Sequence, residues 1–194
     1  MIFNKSAGPV QIHPRVLNEL RNEITFPLKL IFEQTIKEKK LPTDWRSGNI
    51  SAIYKKGSKL DAGNYRPICL TCICCKLIES VIRDLIVEFL FSNKLFSNKQ
   101  YGFIKGRSIV QLLKVLDNWT EKLENGGRID VLYTDLEKAF DRVPHGKLLR
   151  ELKRYNLHPD LMDWIKAFLC DRKQRVHLNG IYSSWASVLS GIAQ

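Results

Sequence analysis

The residues with the clearest chemical potential lie in the stretch YTDLEKAFDRVPH, residues 133–145. An apolar run ends there on one carboxylate, Asp135, and Phe140 and Asp141 follow it. A carboxylate at the end of a strand can lie at the rim of a sheet and hold a hard cation such as Mg2+. Asp135 is therefore a candidate for metal-assisted phosphoryl transfer, and the alternative is that it caps the turn after the strand.

A second candidate is the cysteine cluster CLTCICC, residues 69–75. Its spacing is similar to half of a zinc site, but a tetrahedral site usually draws a second ligand pair from elsewhere. Only Cys170 and four scattered histidines remain for that purpose, and apolar residues surround the cluster. We interpret the cluster as reduced core thiols, with a zinc-organised interaction module as the alternative.

The composition is that of a basic globular protein. The 194 residues are 44% hydrophobic, enough for one large domain or two small lobes. There are 31 basic and 20 acidic residues, a net charge of +11 spread along the chain, which favours contact with nucleic acid. No apolar run approaches the roughly 18–20 residues of a membrane span, so we expect an intracellular protein.

Apolar spacing predicts the elements that must position these residues. Residues 14–40 have helical spacing, with a break expected at Pro27, and a strand is expected from Trp45 to Tyr54. A basic connector with Lys55 and Lys56 then forms a hairpin.

Further along the chain, a long amphipathic stripe between residues 77 and 89 predicts a helix. A loop follows at residues 100–107, then a helix that stops at Gly126-Gly127 and a strand over residues 129–134. Helices near residues 145–155 and 159–170 and a hairpin at Asn179-Gly180 complete a mixed α+β fold.

Six sequence segments, taken in their order along the chain, carry a specific resemblance to one protein family. They are KKG (55–57), NYRPI (64–68), QYGFIKGRS (100–108), DLEKAFD (135–141), DRKQRV (171–176) and SGIAQ (190–194). Together they resemble the reverse transcriptases of non-LTR (LINE-type) retrotransposons, from about residue 41 to residue 194. The resemblance implies a partial right-hand polymerase, with the fingers and the first part of the palm. Residues 1–41 would be a helical lead-in segment, and residues 42–194 a partial reverse transcriptase domain.

The resemblance also implies an activity. Such enzymes carry out template-directed nucleotidyl transfer with two Mg2+ ions. Their partners are an RNA template, a DNA primer and deoxynucleoside triphosphates, and no membrane partner is expected. Asp135 would be the first catalytic aspartate and would bind Mg2+ together with the backbone carbonyl of Leu136. Phe140 would lie under the incoming sugar and exclude a 2′-hydroxyl, and Gln194 would face the nucleotide or template.

The remaining implied site residues are basic or aromatic. The triphosphate would be bound from the fingers hairpin by Lys55, Lys56 and Arg66, because cations neutralise phosphate oxygens. The template strand would be followed by Tyr101, Phe103, Lys105 and Arg107, in which the rings are available for stacking on bases.

The family's Tyr-x-Asp-Asp turn, with the other two catalytic carboxylates, is not among the 194 residues, and no Asp-Asp pair occurs in them. The family's usual Asp-Gly is replaced by Val10-Gln11, and its usual proline by Ala193. We therefore expect a domain truncated before that turn, which is inactive by itself. The alternative is a non-catalytic nucleic-acid-binding remnant that uses the basic fingers surface.

We predict that protein purified without chelator contains much less than stoichiometric zinc, because the cysteines at positions 69–75 act as core thiols. Elemental analysis of the folded protein by mass spectrometry checks this. Stoichiometric zinc would instead support the zinc-organised module.

Overall fold

The computed structural model describes residues 7–108, 110, 113–136 and 138–192. The chain divides into two compact units: the first comprises Met1–Ser80 with Lys138–Gln194, and the second comprises Val81–Glu137. Helices and a β-sheet occur together, which confirms the predicted α+β class in its coarse form. Within the described ranges, no helix is both long and apolar enough to cross a lipid bilayer.

The first unit contains a five-stranded sheet. Its strands are β1 (Ser47–Tyr54), β2 (Tyr65–Thr71), β3 (Lys173–Leu178), β4 (Ile181–Tyr182) and β5 (Ala186–Ser187). They lie in the order β2-β1-β3-β4, and β5 also pairs with β3. β1 and β2 are antiparallel, so the basic segment between them forms the predicted hairpin. β1 also pairs in parallel with β3, where Asn49 lies opposite Arg175.

The hairpin predicted at Asn179-Gly180 joins β3 to β4. Asn179 has φ 50° and Gly180 has φ 81°. A two-residue hairpin turn of this hand needs positive φ at both positions, which Asn and Gly adopt at low cost. The local sequence therefore determines this turn.

Two helices precede the sheet, α1 (Pro14–Glu19) and α2 (Arg21–Glu38), but the predicted break at Pro27 is wrong. The break falls at Leu20, which has φ −90° and ψ 15°. Its amide donates to the carbonyl of Val16, and its own carbonyl accepts from Ile24, so one helix ends and the next begins there. Pro27 lies inside α2, where it removes one backbone donor without ending the helix.

Four further helices agree with the apolar spacing. They are α3 (Ile73–Ser92), α4 (Leu113–Glu124), α5 (His145–Arg154) and α6 (Pro159–Leu169). α4 ends just before Gly126-Gly127, as predicted. Gly126 has φ 75°, and the Gly127 amide donates to the carbonyl of Lys122 at 2.9 Å, which closes the end of the helix. Short 3-10 helices, Thr43–Arg46 and Ala62–Asn64, precede β1 and β2.

The strand predicted over residues 129–134 is wrong, since these residues have no regular secondary structure. Leu132 and Tyr133 are 88% and 85% exposed. A strand needs backbone hydrogen bonds to a neighbour, and none of the described strands pairs with this segment. The apolar run was a misleading signal, because its burial depends on a partner that a local pattern does not reveal.

The core of the first unit includes the packing of α6 against α2. Trp164 of α6 is 2% exposed, and its ring stacks on Phe168 with centroids 5.4 Å apart. Its indole N–H donates to the Thr35 hydroxyl of α2 at 3.3 Å. Ile78 of α3 is 1% exposed and belongs to the same buried set.

We predict that Ile78→Ala lowers the free energy of unfolding by about 2–5 kcal/mol, because the truncation leaves a cavity in a closed site. Urea unfolding followed by circular dichroism measures the change. Leu60→Ala removes a side chain that is 99% exposed and is the matched control, with an expected change within about 0.5 kcal/mol. Equal effects of the two substitutions would contradict the assigned core.

Candidate functional site

The basic hairpin between β1 and β2 is held by its own hydrogen bonds. The Lys55 amide donates to the carbonyl of Asn64 at 2.9 Å, and the Tyr54 hydroxyl donates to the carbonyl of Gly57 at 2.6 Å. The side chains of Lys55 and Lys56 are exposed. Their ammonium groups are therefore presented to solvent from a fixed backbone.

One face of the sheet borders a cavity of about 830 Å³. We call it the cavity face; its lining strand residues include Ile50, Ala52, Pro67, Cys69, Gln174 and Val176. Tyr65 and Pro67 of β2 line this cavity, and Arg66 lies between them. Because alternate residues of a strand point to opposite sides, the exposed Arg66 side chain lies on the other face.

Cations from three separate segments line the cavity, namely Lys59, Lys138 and Arg172, together with Asp141. Motif resemblance did not single out these three cations. Lys138 lies in DLEKAFD and Arg172 in DRKQRV, two segments that carry the resemblance, and this is the signal that could have identified both. The lining, as far as the structure describes it, does not include Phe140.

Two segments that are far apart in sequence meet at this cavity. The Ser190 hydroxyl donates to the Asp141 carbonyl at 3.0 Å, and the Ile192 amide donates to the Phe140 carbonyl at 3.1 Å. The Gly191 amide donates to the carbonyl of Val143 at 2.9 Å. We call this the turn–loop contact; it joins the end of DLEKAFD to SGIAQ.

Gly191 is the closest point of the turn–loop contact. It has φ 84°, and a Cβ there would lie 2.7 Å from the Asp141 carbonyl oxygen and 2.9 Å from its Cα. Its own carbonyl lies 2.8 Å from the Nε2 of His145, at the start of α5. Both the backbone angle and the close approach require glycine.

Arg172 is a buried cation beside the cavity, with 6% of its surface exposed. Its guanidinium lies 4.6 Å from the centre of the Phe168 ring and donates to the Phe168 carbonyl at 3.4 Å. Burial raises the pKa of Glu79, and a hydrogen bond from Cys75 and the charge of Arg172 partly oppose that shift. Arg172 thus gives the cavity wall a positive charge.

The cysteine cluster lies in the core, in agreement with its interpretation as reduced thiols: Cys72, Cys74 and Cys75 are buried. A hydrogen bond from Cys74 lowers the pKa of Cys72 to about 6, and the same bond raises the pKa of Cys74. Cys75 donates to the Glu79 carboxylate at 3.1 Å. Within the described part of the chain, no three His, Cys, Asp or Glu side chains group as a metal site.

The predicted metal ligands lie in the second unit. Asp135 and Leu136 belong to the irregular segment that replaces the expected strand, and both are exposed, Leu136 at 76%. Asp135 offers one carboxylate, an oxygen ligand of the kind that Mg2+ prefers. Gln194 lies outside the described residues.

The predicted template loop, between Gln100 and Arg107, is also in the second unit. The Arg107 guanidinium donates to the carbonyl of Gln100 at 2.8 Å, so it holds the loop together. Phe103 is 93% exposed with φ 63°, and Lys105 is exposed, whereas Tyr101 is half-buried. Of the four predicted template residues, Phe103 and Lys105 are therefore the exposed ones, whereas Tyr101 and Arg107 are half-buried.

Residues 53–193 match the family model described as reverse transcriptase (RNA-dependent DNA polymerase), and the chain therefore belongs to the reverse transcriptase family. This range includes the hairpin, the turn–loop contact and the template loop. The predicted resemblance to the enzymes of non-LTR retrotransposons is confirmed by the relatives.

Three relatives come from Drosophila melanogaster. The chain is 29% identical over 194 residues to the RNA-directed DNA polymerase from mobile element jockey. It is 28% identical over 193 residues to the probable RNA-directed DNA polymerase from transposon X-element, and 26% over 194 residues to that from transposon BS. These matches cover 98–99% of this chain but 21% of each relative, so the chain spans about a fifth of their length.

We predict that Gly191→Ala destabilises the chain more than Gly180→Ala does. Both glycines have positive φ, 84° and 81°, but an added Cβ meets the Asp141 backbone at Gly191 and nothing within 4 Å at Gly180. The Gly180 variant isolates the backbone strain, roughly 1–2 kcal/mol. Urea unfolding checks the order, and equal losses would show that the turn–loop contact is not closely packed.

Proposed function

We propose that these 194 residues are the fingers and the first part of the palm of a reverse transcriptase that performs template-directed DNA synthesis on RNA. The observation that carries this proposal is the turn–loop contact. It brings together two motifs separated by 49 positions, at a cavity that three cations also line. Such convergence of distant motifs on one pocket is expected of a polymerase nucleotide site.

The first unit would bind the incoming nucleotide. Lys55 and Lys56 would neutralise triphosphate oxygens, since exposed ammonium groups suit that role. The expected contribution of Arg66 does not fit this site, because its side chain lies on the face of the sheet opposite the cavity. Phe140, whose carbonyl the Ile192 amide holds, would exclude a 2′-hydroxyl from the sugar position. Gln194 would continue from the same loop to the nucleotide or template.

The second unit would supply the metal ligands and part of the template path. Asp135 and the carbonyl of Leu136 would hold Mg2+, which in this family neutralises phosphate charge and orients the reacting oxygens. A carboxylate is the kind of ligand that Mg2+ prefers, but one carboxylate is too few to complete the metal site. We therefore propose that these residues alone do not catalyse. Tyr101, Phe103, Lys105 and Arg107 would follow the template strand.

We predict that a chimaera, in which these residues replace the matching fifth of the jockey polymerase, extends a DNA primer on an RNA template with Mg2+. Asp135→Asn in that chimaera should reduce extension by roughly a hundredfold or more, because a metal ligand is lost. Asp130→Asn, at an exposed acid five residues earlier, is the matched control and should retain activity. Gel analysis of the extended primer measures both.

Measuring primer–template binding by the same chimaera distinguishes a loss of catalysis from a loss of binding. A chimaera that folds and binds primer–template but does not extend it would contradict the catalytic proposal. Unchanged extension by the Asp135→Asn variant would remove the role of that residue. Extension by the 194 residues alone would overturn their proposed inactivity.

A second candidate function is non-catalytic binding of nucleic acid by the basic hairpin. It is favoured because the segment 55–64 contains three lysines and one acid, Asp61, whose carboxylate already accepts from the Gly63 amide at 2.8 Å. Binding without extension in the chimaera experiment would select this function.

A further inference from the structure

The cations of the sheet are all on one side of it. Asn49 and Ser51 of β1 lie opposite Arg175 and His177 of β3, and Ile53 lies opposite Arg66. Alternate residues of β1 share a face, so these partners share it too. We call it the cationic face; its members are Arg66, Lys173, Arg175 and His177. It is the side opposite the cavity face.

No acid opposes this charge from the sheet itself. None of the residues of the five strands is Asp or Glu. Arg66 and Lys173 are exposed, and Arg175 and His177 are half-buried. A surface with cations and no carboxylates within its strands attracts a polyanion.

An aromatic stack lies on the same face. The His177 and Tyr182 rings are stacked at 15° with centroids 4.3 Å apart. The Arg175 guanidinium lies 3.9 Å from the centre of the Tyr182 ring and 4.5 Å from that of Trp185. Arg175 also donates to the buried side-chain oxygen of Asn49 at 3.0 Å, which fixes its position. The stack therefore runs His177–Tyr182–Arg175–Trp185.

Trp185 ends this stack and is 43% exposed. A guanidinium on one side leaves the outer part of the indole open to another planar group. A half-exposed indole beside fixed cations matches the way proteins hold single-stranded nucleic acid, with a base on the ring and the backbone along the charges. A duplex, whose bases are already stacked, does not offer a base in this way.

We propose that the cationic face binds single-stranded nucleic acid, with one base stacked on Trp185 and phosphates along Arg66 and Lys173. This inference deepens the proposed function. It rests on that function because it assumes that the chain acts on nucleic acid. It assigns Lys173, Arg175, Tyr182 and Trp185, which the motif resemblance does not.

The test is fluorescence anisotropy of a labelled single-stranded 20-nucleotide oligo(dT) with the 194-residue chain at several salt concentrations. Trp185→Ala should weaken binding by about tenfold without changing the salt dependence, because it removes stacking and no charge. Arg66→Ala and Lys173→Ala should each reduce the slope of log K against log salt by about 1, which corresponds to the loss of one phosphate contact. Trp185→Phe keeps an aromatic face and should retain most of the affinity.

The matched control is Ile181→Ala, which truncates an exposed apolar residue of the same hairpin. Ile181 pairs with Leu178, which lines the cavity, so its side chain lies on the cavity face and not on the cationic face. It should bind like the unaltered chain. Thermal unfolding of every variant identifies any loss that comes from unfolding, and Trp185→Phe covers the case in which Trp185→Ala does not fold.

Three results would overturn the inference. They are unaltered binding by Trp185→Ala, an equal loss with Ile181→Ala, and equally effective competition by duplex DNA or by polyglutamate. A chimaera that fails to extend primers while oligo(dT) binding still depends on Trp185 would refute the catalytic function alone. Extension without such dependence would refute this surface alone.

Discussion

The backbone hydrogen bonds of β1 are the constraint on which the first unit depends. One edge of β1 pairs with β2 across the basic hairpin, and the other pairs in parallel with β3. β3 in turn pairs with β4 and β5, from which the chain continues to the turn–loop contact. A slip of one residue in this register would exchange the cavity face and the cationic face, because side chains alternate along a strand.

Local signals predicted the elements whose geometry is decided locally. The Asn179-Gly180 turn follows from backbone angles that few residues adopt, and the end of α4 follows from its glycines. The pairing of Asn49 with Arg175, 126 positions apart, has no local signal. For the same reason the convergence of Lys59, Lys138 and Arg172 at one cavity could not be predicted.

The prediction of the candidate site rested on motif order more than on chemistry. The motifs that contain Asp141 and Ser190 do meet in the structure, at hydrogen-bond distance. Asp135, by contrast, follows a segment, residues 129–134, whose apolar pattern predicted a strand but which has no regular secondary structure. A carboxylate alone carries little information, since capping and metal binding use the same oxygens. For Asp135, the proposal of metal binding rests on the family to which the surrounding residues belong.

The parallel pairing of β1 with β3 also affects how the chain folds during its synthesis. β1 and β2 can form a hairpin as soon as both have been made, but β3 follows β1 by 126 residues at the Asn49–Arg175 pair. At the usual rates of translation, about 5–20 residues per second, roughly 6 to 25 seconds separate the two. During that interval one edge of β1 has no strand beside it, and open edges recruit other chains. The nascent protein therefore passes through a period in which one edge of β1 is open to pairing with another chain.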